Sequence, residues 1–80
     1  MPEQPFRLIR LKMPAGVLSE IGTAQAAIAF VKSLDPETRA RLHWRLVAFA
    51  MEDLEDGLGT FEKAHSALHT ALATEGWLAD

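Results

Sequence analysis

Glu62, His65 and His69 follow the spacing E-x-x-H-x-x-x-H. In a helix, steps of three and four bring side chains to one face. Two imidazoles and a carboxylate placed there can bind zinc and leave one coordination position open. The order differs from the metalloprotease string, where the glutamate lies between the histidines. His65 borders the apolar stripe of its helix, and His69 lies further toward water. A boundary histidine beside a solvated one explains the pattern with fewer assumptions, and His43 joins only if two helices cross favourably. The expectation is therefore no metal and no cofactor, with Glu62, His65 and His69 as the candidates if an ion binds.

Arg39, Arg41 and Arg45, with Arg7, Arg10 and Lys12 upstream, offer guanidinium and ammonium groups to phosphates. A nucleic-acid-associated regulator using the Arg39/Arg41/Arg45 strip is the alternative function. Against it, the net charge is −3, no recognition-helix pattern is present, and Trp44 belongs to an apolar stripe. A solvated, internally paired helix face is the expected role, so nucleic acid is not an expected partner.

Glu52, Asp53, Glu55 and Asp56 crowd the end of the same helix. Acids at a helix C-terminus oppose the macrodipole, which suggests a compensating basic partner in this chain or a second copy. They lack the alternating ligands and central glycine of a calcium loop. Ser19, Ser33 and Ser66 sit in no nucleophile-elbow context, and no glycine-rich loop follows a strand as phosphate loops require. A body of 80 residues also has little room for a ligand pocket of several hundred cubic ångströms. No catalytic residue, no small-molecule substrate and no enzymatic activity are expected.

One domain, residues 1–80, must position these groups, with residues 1–5 expected to be disordered. The chain has no Cys, which removes disulfides, thiolate zinc sites and a Cys nucleophile together. A chain this short buries little more than ~60% of its unfolded surface, so a homodimer interface is the expected extra source of stability. The N-terminus lacks the basic-then-apolar pattern of a signal peptide, and no apolar stretch approaches the ~18 residues of a membrane span. A cytoplasmic location away from the membrane is expected. Charge is uneven: residues 1–45 carry seven Lys/Arg against four acids, and residues 46–80 one Lys against seven acids.

Phe6–Leu11 mixes apolar and basic residues without helical spacing. Met13-Pro14-Ala15-Gly16 supplies turn chemistry, and Val17–Ile21 reads as a second strand, giving a hairpin. Leu8 with Val17 and Ile21 is expected on the covered face, leaving Phe6 and Ile9 outward. Thr23 caps a first helix with the stripe Ala24, Ala27, Ile28, Val31 and Leu34, flanked by Phe30. Asp35-Pro36 starts a second helix running to about Asp56. It carries two apolar stripes, Leu42/Leu46/Phe49/Ala50 and Trp44/Val47/Met51/Leu54, so it is expected to be covered from two sides. Gly57-Leu58-Gly59 breaks the chain, and Thr60 caps a third helix whose stripe includes Phe61, Ala64, Ala67, Leu68, Ala71 and Leu72. Gly76 ends it in a left-handed conformation, returning Trp77 toward Leu72.

The fold class is thus α+β, β-β-α-α-α, with a two-stranded antiparallel hairpin packed on three helices. The basic hairpin, Ile21-Gly22-Thr23-x-x-Ala26, the Pro36-started helix and the Ala-rich last helix after a glycine turn carry a family likeness. Over residues 6–77 the chain resembles the uncharacterised bacterial proteins grouped as domain of unknown function 982. It departs from them in Asp35-Pro36, where that family commonly has Trp-Pro, and in Ala64-His65, where it commonly has Ala-Arg. The resemblance implies the fold and supplies no activity or site residues.

The functional expectation is a small interaction module that binds another protein or a second copy of itself. The outer edges of the hairpin invite strand addition, with Phe6, Arg7, Ile9 and Arg10 as the partner-binding candidates.

Overall fold

The computed structural model describes residues 7–14, 16 and 18–79. Strands β1 (Ile9–Lys12) and β2 (Leu18–Ile21) pair antiparallel, with Ile9 opposite Ile21 and Leu11 opposite Ser19. The Gly16 amide donates to the Met13 carbonyl at 2.8 Å, and Gly16 takes φ +88°, a conformation that costs other residues strain.

The faces of β1 are the reverse of those expected. Ile9, Leu11 and Ile21 are buried, whereas Leu8 is 53% exposed. Apolar residues fill both phases of the run Leu8-Ile9-Arg10-Leu11, so alternation alone does not define the inner face, and a one-residue slip exchanges the two sides. Ile9 is therefore core and is withdrawn as a partner-binding residue. Phe6, Val17 and residues 1–5 lie outside the described residues.

Four helical segments follow: α1 (Ala24–Ser33), α2 (Pro36–Arg39), α3 (Leu42–Glu55) and α4 (Phe61–Glu75). Two start as their caps dictate. The Thr23 hydroxyl accepts from the Ala26 amide at 3.0 Å and the Thr60 hydroxyl from the Lys63 amide at 3.1 Å. Asp35 instead accepts the Thr38 hydroxyl at 2.7 Å. That hydrogen bond is the main cause of an Asp35 carboxyl held below its ordinary value.

The helix expected from Pro36 to Asp56 is two. Arg41 takes extended angles, φ −67° and ψ 146°, without a side-chain cap. Nothing local demands this, since Ala40 and Arg41 are both good helix formers. The break permits Arg41 and Trp44 to meet the end of α4, as described below.

The core joins Ile9, Leu11 and Ile21 of the hairpin to Ala27, Val31 and Leu34, then to Trp44, Val47 and Met51 of α3. Ala64, Leu68, Ala71 and Leu72 of α4 complete it. Ala64 and Ala71 are fully buried, and their small side chains allow α3 and α4 to pack closely. Gly59 closes the turn between those helices: a Cβ there would lie 2.9 Å from the Asp53 Cβ.

At the C-terminus, Gly76 adopts the left-handed conformation (φ 76°), and the Trp77 amide donates to the Leu72 carbonyl at 2.9 Å. This is the helix-ending geometry that a glycine at this position favours. The chain then runs antiparallel along the outer edge of β1. The Lys12 amide donates to the Trp77 carbonyl at 2.6 Å, the Ala79 amide donates to the Arg10 carbonyl at 3.1 Å, and Leu78 bridges Leu11. One of the two hairpin edges expected to be open is thereby occupied.

Candidate functional site

Three features of the described residues bear on function: a carboxylate hub, a basic cleft and an uncovered helix face.

The hub forms where the start of α3 meets the end of α4. Arg41 Nη1 donates to both oxygens of Glu75 at 2.6 Å. His43 Nε2 and Trp44 Nε1 donate to Glu75 Oε2 at 2.9 Å and 2.8 Å. The Glu75 side chain is only 9% exposed. Burial pushes its carboxyl up, but the hydrogen bonds from His43, Arg41 and Trp44 and the Arg41 charge outweigh it and hold the group at about 2. Trp44 is 1% exposed, and its ring stands against Phe30, His43 and Trp77 at centroid separations of 6.0, 5.7 and 5.9 Å. Glu75 thus satisfies an indole N–H that would otherwise be buried without an acceptor. The arrangement positions and locks these elements together.

Glu75 escaped the sequence reading, although a signal was present. It is an acid on the last residue of a helix, opposing the macrodipole, which calls for a cationic partner. That logic singled out Glu52 to Asp56 and passed over Glu75.

The Arg39/Arg41/Arg45 strip is divided by the same hub. Arg41 is committed to Glu75, while Arg39 and Arg45 line a shallow depression beside Pro36 and Ala40. Glu52 and Glu55 share a groove of about 190 Å³ between α1 and α3 with Lys32 and Arg39. Their basic company therefore comes from the helices, not from the hairpin.

The basic cleft, of about 200 Å³, lies between the start of β1 and α4. It is lined by Arg7, Arg10, His65 and His69 with Leu8, Ile9 and Leu78. The two imidazoles stack at 6.2 Å. Burial is the main cause of a His65 pKa below its ordinary value, and electrostatic interactions with His69 and Arg7 add to it. Glu62 is not among the lining residues. Among the described residues, no group of three or more His and acidic side chains is arranged to hold a metal ion. The Arg7 charge, which acts on His65, also opposes a dication by direct repulsion. His43 opens onto a separate depression of about 320 Å³ with Leu46, Lys63, Ser66, Ala67 and Thr70. The three histidines do not converge on one of these depressions.

The uncovered face belongs to α3. Leu42, Leu46 and Phe49 are 70%, 54% and 57% exposed. At about 100° per residue they fall within a ~60° arc, nearly opposite the buried arc of Trp44, Val47 and Met51. The helix is thus covered on one side, not on two as expected. The molecule measures 36 × 26 × 17 Å, and its shortest dimension holds only two layers at helix-packing distances of ~8–10 Å. No described helix is long and apolar enough to cross a membrane.

No family model, curated protein or solved structure matches the chain.

Proposed function

We propose that the protein is a small, non-enzymatic interaction module that pairs with a second copy of itself through α3. The observation that carries this reading is the Leu42/Leu46/Phe49 stripe, three large apolar side chains one helical turn apart and open to solvent. Such a contiguous row on a small domain marks a contact surface more often than an accident of composition.

Charge supports a second copy as the occupant. Along one flank of the stripe, Arg45 precedes Glu52 and Asp56. A two-fold axis perpendicular to α3 sets the two helices antiparallel and presents the same flank of each to the other. Arg45 of each copy then faces the acids of its partner. The acids at the end of α3, unfavourable within their own helix, gain cationic neighbours in this arrangement.

The hairpin contributes less than the sequence suggested. The C-terminal residues cover the β1 edge, leaving the outer edge of β2 unpaired among the described residues. It is only four residues long. Arg7 and Arg10 remain exposed, and Arg10 pairs with Glu20 at 3.5 Å.

A single helix pair about 20 Å long falls at the small end of specific interfaces, near or below ~1,200 Å². Association should therefore be reversible and concentration dependent. Sedimentation equilibrium at rising micromolar concentration tests it. A monomer–dimer equilibrium is expected, weakened about tenfold or more by Leu46→Asp with unchanged helical circular dichroism. A wild-type protein that stays monomeric at high micromolar concentration overturns the reading.

A further inference from the structure

We propose that each copy in the α3-paired dimer seats Leu58 in the depression between α2 and α3 of the other, so that a rigid turn anchors both ends of the contact. The inference rests on the α3 pairing proposed above and names what that pairing brings together beyond the stripe.

Leu58 is 79% exposed, the most exposed large apolar side chain among the described residues. Its turn is nevertheless fixed. The Leu58 and Gly59 amides both donate to the Asp53 carbonyl, at 2.8 and 3.1 Å, and the Gly57 amide donates to the Leu54 carbonyl at 3.1 Å. Gly57 takes φ +75°, and a Cβ on Gly59 would lie 2.9 Å from the Asp53 Cβ. Both neighbours of Leu58 thus favour glycine, and together they hold an apolar side chain out in water on a set backbone. Ordering a loop on association costs free energy, and a turn ordered beforehand avoids that cost.

The antiparallel order decides what Leu58 meets. With the two-fold axis between Leu46 and Phe49, the end of each α3 lies against the beginning of the other. At that beginning Pro36, Arg39, Ala40 and Arg45 line an open depression of about 450 Å³. Pro36 and Ala40 contribute apolar surface, and Arg39 and Arg45 contribute two positive charges. The arriving turn is preceded by Glu52, Asp53, Glu55 and Asp56. The ion pairs of the described residues join Arg10, Arg41 and His43 to Glu20 and Glu75. Arg39, Arg45 and the four acids are therefore not engaged in an ion pair within their own chain. An apolar knob behind an acidic helix end meets an apolar socket edged by cations, and symmetry makes the contact twice. Two such contacts enlarge an interface that the stripe alone leaves at the small end of the specific range.

The test uses the full chain in two measurements. Sedimentation of Leu58→Ser should show dimerisation weakened about tenfold or more, as expected when a buried leucine is lost from each half of an interface, with unchanged helical circular dichroism. The chain has no Cys, so Glu37→Cys places a single nitroxide on α2. Mixed with ¹⁵N-labelled wild-type protein, the nitroxide variant should broaden the amide signals of Gly57, Leu58 and Gly59 in the labelled copy. A dimer that Leu46→Asp weakens but Leu58→Ser leaves equally tight overturns the seating of Leu58 and leaves the α3 pairing standing. Broadening that spares residues 57–59 overturns the α2 socket in the same way. A wild-type protein that stays monomeric at high micromolar concentration overturns both.

Discussion

Glu75 accepts the indole N–H of Trp44 at 2.8 Å across thirty-one positions of sequence. One partner is the last residue of α4, and the other is the largest fully buried side chain of the protein. The bond converts two local liabilities, an acid at a helix C-terminus and a polar atom within the core, into one contact. It also explains why α2 and α3 do not merge: Arg41 leaves helical geometry at the point where its guanidinium meets the same carboxylate.

Removing that carboxylate should be costly. Glu75→Ala leaves the Trp44 N–H buried without its acceptor, a loss of about 1–3 kcal/mol. For a domain of this size, each kcal/mol lowers the melting temperature by roughly 4–8 °C. Glu75→Gln keeps an acceptor and should lose less. Thermal unfolding followed by circular dichroism checks both, and a Glu75→Ala melting temperature equal to wild type would refute the role of the hub.

Acid should expose the same contact. The Glu75 carboxyl is lowered in the fold from 4.5 to about 2. A depressed carboxyl contributes stability that is fully present above pH 4.5 and is lost as pH falls toward 2. Asp35, also lowered, acts in the same direction from 3.8 downward. Urea unfolding at several pH values should therefore show stability declining below pH 4.5, and the decline should be shallower in Glu75→Gln.

Two glycines should respond differently to the same change. Gly59→Ala places a Cβ 2.9 Å from the Asp53 Cβ, so the turn after α3 must move. Gly76→Ala meets no neighbour within 4 Å but must hold φ +76°, at a cost of about 1–2 kcal/mol. Gly59→Ala should alter amide shifts at the α3–α4 junction. Gly76→Ala should mainly lower stability and loosen the tail that covers β1, seen as faster hydrogen exchange at Lys12.

The pairing of α3 helices can be tested through charge alone. Arg45→Glu should weaken dimerisation, and the double variant Arg45→Glu, Glu52→Arg should restore part of it. Sedimentation of the two proteins reads this directly. A double variant no tighter than the single one would argue against the antiparallel arrangement.

Much of the scaffold was legible in residue order, because capping, turn chemistry and helical periodicity are local. Thr23 and Thr60 start helices, Gly76 ends one and returns Trp77 to the core, and the stripe Ala64, Leu68, Ala71, Leu72 faces inward. Each of these depends on residues within one or two turns of chain. The inner face of β1 was not legible, since Leu8 and Ile9 are both apolar and only packing against the helices chooses Ile9. The break at Arg41 was invisible for a related reason: its cause, Glu75, lies thirty-four positions away.

The sequence by itself determined that α3 carries two apolar faces, and it could not say what covers the second. Tertiary structure decided that question: among the described residues, the hairpin, α1 and α4 cover one arc and no element is set against Leu42, Leu46 and Phe49. Periodicity records how much apolar surface a helix presents. Whether that surface is buried within the chain or against another depends on how many elements the chain has to bring to it.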